Sequence, residues 1–266
     1  MGIKRIITLK KLHKIFPYNT FKTIFPTSEG IMDTTYVVDN YILKFYERDI
    51  SNKIDNEIKL LQHLQSKNLN VSNFVTSNKN HYLYTKLEGT SPKTTKTYHI
   101  QALARFMASF HNSNYKPSTH IPFFNTDEIK QKLTILKRTH YFHYKHLQKL
   151  QNYTMPIDGF IHADIFKDNT LFFREKTAVI DFIDGAMGSY IFDIAVALIS
   201  FNPNNKSSFN KLFLDTYNQH APSKRSYKEL YNTMLIAANY YALLRLDNKN
   251  IEAAQILIQF SKRLYK

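Results

Sequence analysis

Glycine is scarce in this chain: six residues in 266, Gly2, Gly30, Gly89, Gly159, Gly185 and Gly188. Glycine alone lets a backbone turn left-handed or approach a phosphate without strain, so folds built on glycine-rich nucleotide loops can be tested by inspection. None of the six lies in G-x-G-x-x-G or in G-x-x-x-x-G-K-[ST], which excludes the dinucleotide-binding fingerprint and the Walker phosphate loop. Cysteine is absent, so disulfide frameworks, thiolate metal sites and a cysteine nucleophile are excluded, and a reducing, cytoplasmic setting is expected. The most apolar stretch, 191–201, is broken by Asp193 and falls short of the roughly 20 residues that span a bilayer. The basic start, MGIKRIITLKKLHKIF, lacks an apolar run followed by small residues and reads as a helix with Ile3, Ile7, Leu12 and Ile15 near one face.

A net charge of +15 invites a nucleic-acid partner. Lysine is spread over nearly every segment among asparagines, and no aromatic RNA-binding stretch or zinc finger accompanies it. A solvated surface accounts for the charge, and no nucleic acid is expected.

The hydrophobic period changes along the chain. TTYVVDNYILKFY reads as two strands around an Asp39-Asn40 turn. Ile54, Ile58, Leu61 and Leu64 then recur at helical spacing, with Ser51 as candidate cap, and runs at 71–76 and 81–87 read as further strands. From Thr97 onward helices dominate, including a lysine-rich segment over 127–151, interrupted by strand-like runs at 159–162, 170–173 and 177–183. The expected fold class is α+β: a sheet-rich N-lobe over 1–90 and a larger, mainly helical C-lobe over 91–266.

Polar groups crowd into one apolar stretch, F-I-H-A-D-I-F-K-D-N-T-L-F-F at 160–173. Asp164 and Asn169 stand five positions apart, and Asp181 follows twelve later in V-I-D-F. Phosphoryl transfer uses such parts: a carboxylate to take the acceptor's proton, and amide and carboxylate oxygens to hold Mg²⁺. Taken alone, H-x-D-x-x-x-x-N could be turn formers around a core histidine. The acid at the spacing kinases use between catalytic loop and metal-binding aspartate argues for the chemistry. In the N-lobe, Lys44 lies between apolar neighbours on a strand, where an ammonium needs an anionic partner, and Glu57 on the next helix is the expected one.

The order Lys44, Glu57, His162, Asp164, Asn169, Asp181 resembles the aminoglycoside phosphotransferase and choline kinase superfamily, small-molecule kinases with a bilobal, protein-kinase-like fold. Three segments are similar to its bacterial homoserine kinase branch: G-I-M-D-T-T-Y-V-V at 30–38, H-A-D-I-F-K-D-N at 162–169, and I-D-F-I-D-G-A-M-G-S-Y-I-F-D-I-A-V at 180–196. The resemblance implies Asp164 as catalytic base, Asn169 and Asp181 as Mg²⁺ ligands, Lys44 with Glu57 as the pair that positions ATP phosphates, and His162 and Asp193 as structural support. Gly30, Thr34 and Thr35 would belong to a nucleotide-covering hairpin; the branch usually has a Glu-Asn pair where this chain has Met32-Asp33, and Asn in place of Thr35. Tyr84 to Leu87, with Lys86, would form the hinge that meets adenine.

The resemblance makes the acceptor a small molecule bearing a hydroxyl, with homoserine first. A zwitterion of that kind needs a cation for its carboxylate and an acid or carbonyl oxygens for its ammonium, and Lys167, Asp184, Tyr241 and Arg245 are the candidates. Choline, ethanolamine, methylthioribose and aminoglycosides are competing acceptors, though a polycation sits less well with a chain at +15. A non-catalytic nucleotide-binding protein and a basic RNA-associated protein are the alternatives from other classes.

Overall fold

A computed structural model describes residues 5–27, 33–47, 50–118 and 121–264. Its first sheet is antiparallel, with strands β1 (Phe25–Pro26), β2 (Thr34–Val38), β3 (Tyr41–Phe45), β4 (Phe74–Asn78) and β5 (His81–Thr85) in the order β1-β2-β3-β5-β4. The β2–β3 hairpin turns at Asp39, which takes the left-handed conformation (φ 48°) open to short polar side chains. Alternation then sorts the side chains. Tyr36, Val38, Leu43 and Leu83 face a small core closed by Leu12, Phe16 and Phe21, in and after helix α1 (Leu9–Ile15). On β3, Lys44 falls between buried Leu43 and Phe45 and so takes the opposite face. Helix α1 is shorter than its pattern suggests, because Thr8 caps it by accepting the Lys11 N–H; Ile7 is buried ahead of the helix, and Ile3 lies outside the described residues.

Helix α2 (Ser51–Ser66) begins at an Ile50 cap, so Ser51 is its first residue and not its cap. Strand β4 starts at Phe74, three residues later than its apolar run, because Leu69 and Val71 are drawn into the core after a left-handed Asn68 (φ 61°).

The C-lobe packs α3 (Thr97–His111), α4 (Thr126–Thr139), α5 (Tyr141–Leu147), α6 (Tyr190–Phe201), α7 (Ser207–Asn218), α8 (Tyr227–Asp247) and α9 (Ile251–Leu264) around one apolar cluster. The lysine-rich segment is two helices, broken at His140 (φ −144°, ψ 68°). Almost every residue of α6 is buried, so it reads as continuously apolar and serves as the lobe's central element. Two two-stranded antiparallel sheets complete the lobe. Strands β6 (Gly159–Ile161) and β9 (Ala186–Gly188) form one; β7 (Thr170–Phe173) and β8 (Lys176–Val179) form the other. The three-residue β9 carries too little pattern to be read from sequence, and β8 ends at Val179 ahead of a left-handed Asp181 (φ 67°). Leu60, Leu61 and Leu64 of α2 join the C-lobe cluster, so apolar packing runs from one lobe into the other. Among the described residues no helix is long and apolar enough to cross a membrane.

The chain leaves the sheet through 86–89. Gly89 has φ +122°, and a Cβ there would stand 2.8 Å from the backbone carbon of Phe172. Immediately beyond, Thr90 and Phe172 exchange backbone hydrogen bonds of 3.2 and 3.0 Å. Gly89→Ala therefore meets both torsional strain and a backbone clash. It is expected to destabilise the protein by roughly 2 kcal/mol, read as a lowered urea midpoint; an unchanged midpoint would show that the crossing tolerates a side chain.

Candidate active site

The loop from His162 to Asn169 is held by groups that are distant in sequence. Asp193, fully buried on α6, accepts the N–H of His162 at 3.1 Å, the N–H of Ala163 at 2.8 Å and His111 Nε2 of α3 at 3.1 Å. Ala163 sits at φ 66°, a costly conformation for a residue with a Cβ. Its N–H is fixed by Asp193 and its carbonyl by the Tyr241 hydroxyl of α8, so the strain is clamped from both sides of the peptide. His162 accepts the Asp164 N–H at Nδ1 (3.2 Å), which makes Nε2 the protonated nitrogen that donates to the Ile180 carbonyl at 3.0 Å. That bond ties the loop to the segment bearing Asp181.

Asn169 Nδ2 donates to the backbone carbonyl of Asp164 at 2.8 Å and to its Oδ2 at 2.9 Å, while the Ile180 N–H donates to the Asn169 carbonyl at 3.0 Å. Asp164, Asn169 and Asp181 are thus gathered in one place. Burial is the main cause that pushes the Asp164 carboxyl up to about 6; Asp168 and Asp181 add to the rise, and His162 and Arg245 oppose it.

From the N-lobe, Lys44 Nζ reaches Asp181 Oδ1 at 3.0 Å, with the rings of Tyr46 and Tyr84 5.8 and 5.9 Å from the ammonium. Burial pulls the Lys44 pKa down, but the charges of Asp181 and Glu57 outweigh it and leave the group above its ordinary range. The expected Lys44–Glu57 ion pair is not made. Glu57 is buried and accepts the Tyr46 hydroxyl at 3.0 Å, with Tyr84 at 3.5 Å, and burial raises its pKa against the pull of Lys44. Two tyrosines fill Glu57's nearest positions, and the lysine bonds instead to the carboxylate from the other lobe. The sequence carries a signal for both: Tyr46 follows Lys44 at the two-residue interval just past the end of β3, and Tyr84 pairs with Ile42 on the face that Lys44 shares.

Other expected residues lie elsewhere. Gly30 falls outside the described residues. Thr34 is buried and donates its hydroxyl to Glu47 Oε1 at 2.8 Å, and the Thr35 carbonyl accepts the Thr27 N–H at 3.1 Å. Tyr84 is buried within the sheet, paired to Ile42 on one side and Phe74 on the other. Lys86 is exposed, and its N–H donates to the Asn40 carbonyl. Of the acceptor candidates, Tyr241 is buried against the loop carbonyl, and Asp184 pairs with Lys53 of α2 at 2.8 Å. Lys167 Nζ lies 6.0 Å from the Phe201 ring, and burial lowers its pKa. Arg245, half-buried on α8, is the acceptor candidate whose positive charge acts on Asp164. The bracing role expected of Asp193 has its geometry in the two loop N–H groups; His111 and its Tyr217 partner (2.8 Å), which complete that network, were not anticipated, although a histidine ending an apolar helix face is such a signal.

Among the described residues no group of three or more histidines and carboxylates converges as a metal cage. Asn169 and Asp181 carry one amide and one carboxylate oxygen, the donor types that a magnesium ion takes together with water and phosphate.

Asp193→Ala is expected to cost about 3 kcal/mol, because two loop N–H groups and His111 lose their buried acceptor. Tyr241→Phe, which frees only the Ala163 carbonyl, is expected to lower turnover with a small loss of stability. Chemical denaturation and steady-state kinetics separate the two, and a Tyr241→Phe protein with unaltered turnover would remove the clamp from the argument.

The profile of the family described as "Phosphotransferase enzyme family" matches residues 24–230. A homoserine kinase from Methylobacillus flagellatus is 24% identical over 258 residues, covering 83% of this chain and 78% of that protein. Among solved structures, an amicoumacin kinase in complex with AMP-PNP, Ca²⁺ and Ami superposes with a TM-score of 0.72 at 16% identity, covering 96% of this chain and 91% of the other. A choline/ethanolamine kinase family protein from Mesorhizobium loti gives 0.72 at 12% identity, covering 97% and 93%. These likenesses establish the protein-kinase-like fold.

Proposed function

The chain belongs to the phosphotransferase enzyme family, and within it we propose that it transfers the γ-phosphoryl group of ATP, with Mg²⁺, to the hydroxyl of a small metabolite, L-homoserine first among acceptors. The observation that carries this reading is the contact of Lys44 with Asp181 at 3.0 Å, beside the Asp164–Asn169 pair at 2.9 Å. A strand cation, two oxygen donors and a carboxylate with a raised pKa meet where the two lobes face each other.

Asp164 is the base. It orients the acceptor hydroxyl and takes its proton as the oxygen bonds to phosphorus and the bond to the departing diphosphate breaks. Asn169 fixes the Asp164 rotamer through its amide N–H and has its carbonyl oxygen for a metal, with Asp181 as the second ligand. A bound magnesium would supply charge neutralisation at the phosphate oxygens. Lys44 exchanges Asp181 for phosphate oxygens when the nucleotide enters, and Glu57 and its tyrosines keep the ammonium in the cleft. AMP-PNP in the amicoumacin kinase complex supports a nucleotide donor.

Homoserine is favoured by the H-A-D-I-F-K-D-N segment and by the relative from Methylobacillus flagellatus. Arg245 supplies a positive charge near Asp164 for the acceptor's carboxylate. An ATP-consumption screen with Mg²⁺ over homoserine, choline, ethanolamine, methylthioribose and an aminoglycoside tests the acceptor. The highest kcat/KM is expected with homoserine, with the phosphate ester found on its hydroxyl by mass spectrometry; turnover of another acceptor and none of homoserine would replace the substrate and keep the family.

The raised pKa of Asp164 sets a pH dependence. The base works ionised, so kcat/KM is expected to fall roughly tenfold per pH unit below about 6. Folding bears the opposite sign: a carboxyl whose pKa is raised on folding is stabilising while protonated and loses that contribution as pH rises through about 6. Asp164→Asn is therefore expected to abolish turnover yet melt a few degrees higher than wild type at pH 8, with the gap closing at pH 4. Near-normal turnover in that variant would eliminate Asp164 as base.

A further inference from the structure

A groove of about 1230 Å³ lies outside the cleft just described, walled by the end of α2 and the loop after it, the 86–88 crossing, one face of α3 and the β7–β8 turn. Its volume exceeds that of a typical small-ligand pocket. Cations enter it from every wall: Lys67 after α2, Lys86 on the crossing, Arg105 on α3, and Arg174 and Lys176 at the turn. Two acidic residues, Glu88 and Glu175, oppose the five, and among the described residues none of the five takes part in a salt bridge. A concave surface of one sign focuses potential and gathers counter-ions. This is a local concentration within a charge that the sequence spreads widely.

A second, independent observation comes from its lining. Thr177 is 6% exposed, and its Oγ1 is buried without a hydrogen-bond partner. Beside it, Asn70 Nδ2 stands 3.5 Å from the Thr177 carbonyl. A buried unpaired hydroxyl costs stability unless something completes it, and here it belongs to a residue that lines a roomy, cationic space. Guanidinium forks, ammonium groups and a hydroxyl donor together suit phosphate oxygens.

We propose that this groove is a second ligand site, which binds a small anion carrying two or more phosphate groups at the outer wall of the lobe crossing. Arg105, Arg174 and Lys176 hold its charge, and Thr177 donates to one of its oxygens once its enclosed hydroxyl turns toward the groove. The site is separate from phosphoryl transfer: its walls contain none of Lys44, Asp164, Asn169 and Asp181.

Calorimetric titration of inorganic triphosphate into the full chain tests the proposal, with Lys44→Met as a control that disables the cation of the cleft. Binding is expected to survive in Lys44→Met and to weaken roughly tenfold or more in the Arg105→Glu/Lys176→Glu double variant, whose exposed positions leave the melting temperature near wild type. Thr177→Val is expected to bind severalfold more weakly while melting no lower than wild type, since it removes an unpaired buried hydroxyl. Triphosphate binding that is unchanged in the double variant, or that vanishes in Lys44→Met, overturns the site. A short single-stranded RNA that binds more tightly than triphosphate and loses affinity in the double variant would make the groove a nucleic-acid surface and overturn the small-anion assignment.

Discussion

The buried carboxylate of Asp193 is the interaction on which the rest of the site depends. Removing a carboxylate from water costs several kcal/mol, and that cost is met only where donors converge on it. Here they come from two places in the chain: two successive N–H groups of the loop and one ring nitrogen of α3. The same convergence holds Ala163 left-handed, which turns the chain so that Asp164 follows with its N–H on His162 and its carboxylate against Asn169. The position of Asp164 is therefore decided by a residue some thirty positions later, on a helix that is buried along almost its whole length.

Electrostatics between the lobes follows a different logic. Lys44 is flanked by two carboxylates, Glu57 from its own lobe and Asp181 from the other, but it bonds to only one of them. Glu57 is satisfied by tyrosine hydroxyls and the Phe182 N–H, so it contributes field without contact. An ammonium held this way stays charged in a nearly enclosed site and can change partners without either carboxylate being left unsolvated. Lys53 and Asp184 repeat the cross-lobe pairing at the surface, where it is worth little in energy.

Residues close in sequence, or fixed by spacing, were legible before the fold. Asp164, Asn169 and Asp181 stand at intervals that the sequence displays directly, and the structure gathers them in one place; the sheet-then-helix order follows from the change of hydrophobic period. What was not legible depends on pairings between distant segments. The bonds of Tyr241 to the Ala163 carbonyl, of Asp184 to Lys53 and of Thr34 to Glu47 join separate segments, and no local pattern announces them. Glu57 had the expected position but another set of ligands, because alternation on β3 and β5 brings Tyr46 and Tyr84 to it. Element ends moved for local reasons: a left-handed Asp181 stopped β8, a kink at His140 split one helix pattern into two, and Thr8 started α1 late.

The paired backbone bonds between Thr90 and Phe172 bear on how the lobes can move. From Thr90 onward the chain is stitched to the β7–β8 hairpin, and Gly89 is wedged against the same strand. On the other side, the Lys86 N–H is bonded to the β2–β3 turn. Between these two ties the crossing has Leu87 and Glu88, a span of two residues. A torsional change at so short an axis alters the separation of Lys44 and Asp181, the residues that join the two sides of the cleft.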